Sequence, residues 1–308
     1  MAAALTTSPA AAVAAGPFYA ALSALWPSHA EQVIARAAAS ADLDPARDTV
    51  ARFMANVGSP DALVADYRWT CEQLREEELY FHRNFDYRLA GHPDEVRAYY
   101  ADSAYMERYL NGLLASHLFW WNHTATVEWF RKAYLPLLQP GTRHLEIGPG
   151  HGLFLKMAGD AKNVATMEAW DLAPAALDRL GKALGASARK CVVTQRDATQ
   201  PALPADSGRF DSVVLSEILE HVDEPGQVLQ TVREILAPGG HIFVNVPANS
   251  PAPDHVYLLS HPDESVALVA GAGFRVIEKD AFPMNGYSLA RALRQKATIS
   301  CVMVAVKG

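Results

Sequence analysis

The sequence predicts an α/β protein, a doubly wound and mostly parallel sheet of seven strands with an N-terminal α-helical cap region. Three observations predict it. The apolar run His144-Leu145-Glu146-Ile147 ends in a turn with glycine at alternate positions, Gly148, Gly150 and Gly152. Beyond it, short apolar runs alternate with helical segments to the end of the chain, the pattern of βα-linked strands. Before it, residues 1–138 carry helical periodicity. The expected division is therefore 1–138, a helical cap or homodimerisation region, and 139–308, a ligand-binding sheet domain.

In the first region, residues 18–39 and 46–57 alternate apolar and charged residues at helical spacing, with Asp44-Pro45 as a helix start. Gly58-Ser59-Pro60 breaks the chain before a third helix over 62–80. Helices this short need tertiary contact to persist. Residues 99–109 and 118–124 are dense in aromatic side chains with polar tips. Phe119, Trp120 and Trp129 suit packing on the sheet, and Tyr105, Tyr109, Asn122 and His123 are expected to wall a pocket.

The glycine turn is the centre of the second region. Glycines let the backbone turn sharply after a strand and lie against a ligand where a Cβ would collide. A dinucleotide fingerprint requires a third glycine one place later, where Leu153 stands. Glu146 would also repel a pyrophosphate and suits a cationic ligand better, which ranks a dehydrogenase last among the readings. A second strand over 164–170 ends at Asp171, and Pro174 stands just inside the next helix. Asp171 is placed to accept hydrogen bonds from ribose hydroxyls, a role compatible with capping that helix; Glu168 is a weaker competitor.

A short third strand covers 191–194 and a fourth 210–216, whose continuous apolar centre fits burial on both faces. Ser216 and Glu217 then emerge at the carboxyl end of the sheet, where ligands bind in open α/β folds. Glu217, Glu220 and His221 share a helical face and invite a metal reading. Capping or a supporting role suits them better, so no metal is expected. A helix over 229–236, stopped by Ala237-Pro238-Gly239-Gly240, leads to a fifth strand over 241–247. Two closing strands, 274–278 and 298–306, are expected as an antiparallel pair, the first preceded by a helix over 265–272. The proline-stiffened loop after the fifth strand carries Asn249, Asp254, His255 and Tyr257 toward the pocket, and residues 282–288 close it from a third side. His255 is the leading general base, because an imidazole titrates near neutrality.

A net charge of −7 across 308 residues, with no basic stripe, disfavours nucleic acid, whose phosphates need clustered Lys and Arg. Cys71, Cys191 and Cys301 form neither a CxxC pair nor an even disulfide set and suit a reducing cytoplasm. The alanine-rich start lacks the basic residues of a secretory signal, and no apolar run is long enough to span a bilayer, so no membrane partner is expected.

The acid before Gly-x-Gly-x-Gly, the acid after the second strand and Ser-Glu-x-x-Glu-His-Val after the fourth resemble the small-molecule class I S-adenosylmethionine-dependent methyltransferases. The resemblance runs from about residue 138 to the end and implies a Rossmann-like methyltransferase fold and S-adenosylmethionine as cofactor. It places the cofactor against Glu146, Gly148, Gly150, Gly152, Asp171, Leu172, Asp197, Ala198, Ser216 and Glu217. Asp197 would contact the adenine amino group, with the Ala198 amide nearby. The expected reaction is in-line methyl transfer to a small, partly apolar acceptor of specialised metabolism. Tyr105 and an optional base, His255 or His123, would stand near the methyl group, and Tyr109, Asn122, Asn249, Asp254 and Tyr257 around the acceptor. Two rivals share the fold, an enzyme that cyclises the cofactor's aminocarboxypropyl arm and a cofactor-binding protein without catalysis.

Overall fold

A computed structural model describes residues 9–308; the first half of the alanine-rich start lies outside the described residues. The helical region comprises α1 (Pro9–Ala14), α2 (Pro17–Leu25), α3 (Pro27–Ala38), α4 (Asp44–Val57), α5 (Pro60–Asn84), α6 (Pro93–Ala101), α7 (Ser103–Phe119) and α8 (Trp121–Trp129). The single helix expected over 18–39 is two. Pro27 has no N–H to continue the first helix and its ring crowds the preceding turn, so the chain bends at Trp26 and restarts. The helix expected over 62–80 is longer at both ends. Ser59 Oγ caps it by accepting from the Ala62 N–H, and Phe85 ends it with a left-handed φ of 58°.

The sheet contains β1 (Thr142–Ile147), β2 (Val164–Asp171), β3 (Cys191–Gln195), β4 (Phe210–Ser216), β5 (Leu236–Ala248), β6 (Phe274–Pro283) and β7 (Ile299–Lys307), in the order β3-β2-β1-β4-β5-β7-β6. Its crossovers carry α9 (Leu153–Asp160), α10 (Pro174–Leu184), α11 (Pro225–Ile235), α12 (Pro262–Gly271) and α13 (Leu289–Gln295). β1 pairs in parallel with both β2 and β4. Of the closing strands only β7 runs against the rest: it inserts between β5 and β6, antiparallel to both. The helix read over 229–236 begins earlier, at Pro225, and yields Leu236 to β5.

Both faces of the sheet are covered. On one, Leu145, Val213 and Ile242 pack with Leu229 and Val232 of α11. On the other, Phe154 of α9 and Phe243 and Val302 of the sheet share a continuous apolar core with Phe18, Tyr67, Leu114 and Phe130 of the N-terminal helices. The buried Tyr134 hydroxyl pins the end of that region to the sheet, lying 2.7 Å from Ser212 Oγ and donating to the Val213 carbonyl at 3.2 Å. The helical region is thus laid over the sheet, and the space left between them is the site.

Candidate functional site

A cavity of about 710 Å³ lies over the carboxyl ends of β1, β2 and β4, roofed by α5 to α8 and walled by the loop after β5. It spans the point between β1 and β4 where strand order reverses, the usual crevice of open α/β sheets.

The turn after β1 is shaped by its glycines. Gly148, Gly150 and Gly152 all have positive φ, at 63°, 50° and 86°. A Cβ on Gly148 would stand 1.8 Å from Ile218 Cδ1. Gly148 and Gly150 line the cavity, whereas Gly152 turns to Leu180 and starts α9, so its role is packing. Glu146, one residue before the end of β1, is buried, and its Oε2 has no hydrogen-bond partner among the described residues. Burial and the neighbouring Asp171 raise its carboxyl well above the usual range. An acid left in that state asks for a cationic partner, which suits the ammonium group of S-adenosylmethionine. Asp171 accepts from the Ala173 N–H at 2.8 Å in a turn just before α10, whose N-cap is Ala173, so it does not cap that helix as read, and burial pushes its carboxyl up to about 6. Leu172 and Ala198 line the same end. Asp197 also lines it, with Oδ1 holding the Thr199 N–H and hydroxyl and Oδ2 lying 3.6 Å from the exposed Arg97. Glu168 is withdrawn from the competition for ribose: it bonds Trp170 Nε1 and pairs with Arg209, outside the cavity. These residues fit the cofactor that the sequence resemblance implies.

The opposite wall corrects several expectations. Tyr105 does not line the cavity; it stacks behind Tyr109, at 5.7 Å between ring centroids, and meets Trp69 edge-on. Tyr257 is likewise absent from the lining, because its N–H is held by the Glu220 carbonyl and its ring packs in the apolar layer beneath the sheet. Asn122 and Asn249 line the cavity, but their amides are engaged, donating to Ser300 Oγ and to the Ser260 carbonyl. Tyr109 does face inward and donates to Asp254 Oδ1 at 3.1 Å, joining α7 to the loop after β5. His123 lines the cavity 2.7 Å from Ser116 Oγ, and burial drives its imidazole well below the ordinary range. His255 is similarly pushed down to about 3 by burial. Burial thus favours the neutral form of both rings and makes them weaker bases than an ordinary imidazole, because the water that would solvate the imidazolium is excluded.

Sequence reasoning passed over Tyr100, His117, His151, Ile218, Lys296 and Thr298, all of which line the cavity. Their distances along the chain give no signal, although His151 stands inside the glycine motif. At the end of β4, Glu217 has a left-handed φ of 55° and accepts from Asn245 Nδ2 at 2.9 Å, with Ser216 Oγ accepting from the same amide. Glu220, His221 and His255 converge beside it, their ligating atoms all within 4.8 Å of one another.

A family model described as a methyltransferase domain matches residues 121–295. A ubiquinone biosynthesis O-methyltransferase of Xanthomonas campestris pv. campestris (strain B100) is 34% identical over 118 residues, which is 37% of this chain and 46% of the relative. The protein of the same description from Azotobacter vinelandii is 30% identical over 123 residues, 39% of this chain and 49% of the relative. The chain thus matches about half the length of these curated relatives. Among solved structures, the N-methyltransferase NodS from Bradyrhizobium japonicum WM9, in complex with S-adenosyl-L-homocysteine, is similar with TM-score 0.43 and 18% identity, covering 57% of this chain and 85% of that one. The [4+2]-cyclase SpnF is similar with TM-score 0.45 and 15% identity, over 56% and 76%.

Proposed function

The chain belongs to the class I S-adenosylmethionine-dependent methyltransferases, and on that premise we propose that it methylates a small, partly apolar metabolite inside the cavity between sheet and helices. Its cofactor is S-adenosylmethionine. The observation that carries the proposal is the one cavity shared by Glu146, Gly148, Gly150 and Asp171 and by the aromatic wall of α6 and α7.

Bound there, the cofactor supplies a methyl group on a positively charged sulfur, which is already an activated leaving group. The protein's own work is positional. Glu146 offers its buried carboxylate to the ammonium group and Asp171 its carboxylate to the ribose, while the glycines keep the backbone close. Tyr100, Tyr109 and Leu113 of the roof exclude water and confine the acceptor. Alignment of this kind lowers a barrier by ~7 kcal/mol or more. The neutral rings of His123 and His255 serve as hydrogen-bond partners. The acidic surface charge and the buried pocket favour a metabolite, in specialised metabolism, over protein or nucleic acid. Three free cysteines support a reducing cytoplasm, and the N-terminal helices are offered as a homodimer surface.

The test is calorimetric titration with S-adenosylmethionine and S-adenosylhomocysteine, followed by an acceptor screen with methyl-labelled cofactor. Label in the acceptor with release of S-adenosylhomocysteine is expected. Label retained on a methylthio product would identify cyclisation of the aminocarboxypropyl arm, and tight binding without turnover of any acceptor would identify a binding role.

A further inference from the structure

We propose that Glu220, His221 and His255 form a binding site for one divalent transition-metal cation, of the zinc or manganese kind, on the cavity wall beside the cofactor pocket. His221 Nε2 and His255 Nε2 lie 3.8 and 3.9 Å from the same Glu220 oxygen. Ligands held tetrahedrally at ~2.1 Å from zinc stand roughly 3.4 Å apart, so small side-chain rotations close the set.

The hydrogen bonds behind the rings make the argument. His221 Nδ1 lies 3.0 Å from the Asp254 carbonyl and His255 Nδ1 against the Ser250 carbonyl. A carbonyl only accepts, so each Nδ1 carries the proton and each Nε2 turns a lone pair toward Glu220. That is the outer support found behind metal-bound histidines. Glu220 is fully buried and, apart from the carboxyl of Glu217 within hydrogen-bonding reach, neither of its oxygens has a hydrogen-bond partner among the described residues. Two lone pairs and a carboxylate therefore converge on one space. Glu217, already held by Asn245, lies against Glu220 and adds a second carboxylate rather than a counter-charge. The frame is rigid, since the Glu220 carbonyl accepts from the Val256 and Tyr257 N–H groups at 2.9 and 3.0 Å, tying the loop after β5 to the end of β4.

Two imidazoles and one carboxylate favour zinc or manganese over calcium or magnesium, which prefer all-oxygen shells. His221 and His255 border the cavity and Glu220 lies behind them, so the open coordination positions face the acceptor space. On the methyl-transfer reading above, and resting on it, the acceptor would be one that offers the cation an oxygen, such as a hydroxyl or carboxylate. The metal site itself does not depend on that reading.

The test begins with the full chain stripped by chelator and dialysed against Zn²⁺ or Mn²⁺, with metal content measured by elemental analysis. Wild type is expected to retain one equivalent. Glu220→Gln and His255→Ala are each expected to weaken retention by about a hundredfold, whereas His117→Ala, at a histidine of α7 that lies 3.1 Å from His151 Nε2 and outside this set, leaves it unchanged. Titration with S-adenosylhomocysteine shows that each variant remains folded and keeps the cofactor reading separate from the metal reading. Visible absorption of the Co²⁺-loaded wild type reports nitrogen ligation without any variant. No stoichiometric retention by wild type, or retention that survives Glu220→Gln with His255→Ala, overturns the proposal; a shared proton between Glu217 and Glu220 would then be the occupant.

Discussion

Glu146 and His144 stand two residues apart on the same face of β1, both buried, and their burial serves different ends. Glu146 keeps at the cavity an oxygen without a hydrogen-bond partner among the described residues, which under the proposed function is the seat of the cofactor's ammonium group. Glu146→Gln should weaken S-adenosylmethionine binding by roughly ten- to a hundredfold, about 1.5–3 kcal/mol, in calorimetric titration. His144 is structural: Nδ1 meets Ser212 Oγ at 2.8 Å, and burial lowers its pKa to about 3. In the unfolded chain it takes up a proton near pH 6.5, whereas in the folded chain it does so only near 3. Its contribution is therefore complete above the unfolded value and is lost as pH falls through that window, at about 1.4 kcal/mol per pH unit. His117, lowered to about 4, acts in the same direction. Urea denaturation from pH 7 to 4 should show stability falling less steeply in His144→Leu than in wild type; equal slopes would remove His144 from the account. That Glu146, Gly148 and Asp171 stand at the cavity could be read from sequence, because they lie at or just past strand ends. The neutral state of His255 could not, because it depends on groups brought in from distant segments.

The elements carry their own constraint at the contact of α5 and α7. Gly112 of α7 lies so close to α5 that a Cβ there would stand 2.0 Å from Thr70 Oγ1 and 3.0 Å from the Asp66 carbonyl. Gly112→Ala should cost about 1–3 kcal/mol by thermal or chemical denaturation. Because α7 also carries Tyr109 and His117 into the cavity, acceptor turnover should fall more than cofactor affinity. Strand positions were readable from apolar runs, and helix starts from proline and capping residues. Pro27 carried a break that the periodicity of 18–39 masked. The direction of β7 was partly readable, since a pair of closing strands was evident, but which of them reverses depends on insertion between β5 and β6.

At the scale of the molecule, the N-terminal helices and one face of the sheet bury a common core, from Phe18 and Tyr67 through Phe154 and Phe243 to Val302. Removing residues 1–138 would expose that face, including Leu155 and Val304, to water. A chain of residues 139–308 should therefore aggregate or show no cooperative thermal transition. A soluble, cooperatively folding fragment that binds S-adenosylhomocysteine as tightly as the full chain would show the helices to be dispensable. The matched family region begins at residue 121, the first residue of α8, and so takes in that helix with the sheet domain.

The sequence by itself determined the succession of strands, the glycine turn and the acids near the ends of β1 and β2. Each of these depends on neighbours a few residues away and on the face that a strand presents. Only the tertiary structure decided what stands across the cavity. It brings His255 from the loop after β5 to Glu220 and His221 after β4, seats Tyr109 on Asp254, and turns Tyr105 and Tyr257 away. The physical reason is that desolvation and convergence belong to the packed whole. Whether a buried imidazole is a base, a neutral partner or a metal ligand is set by groups that meet it only once the helices lie on the sheet.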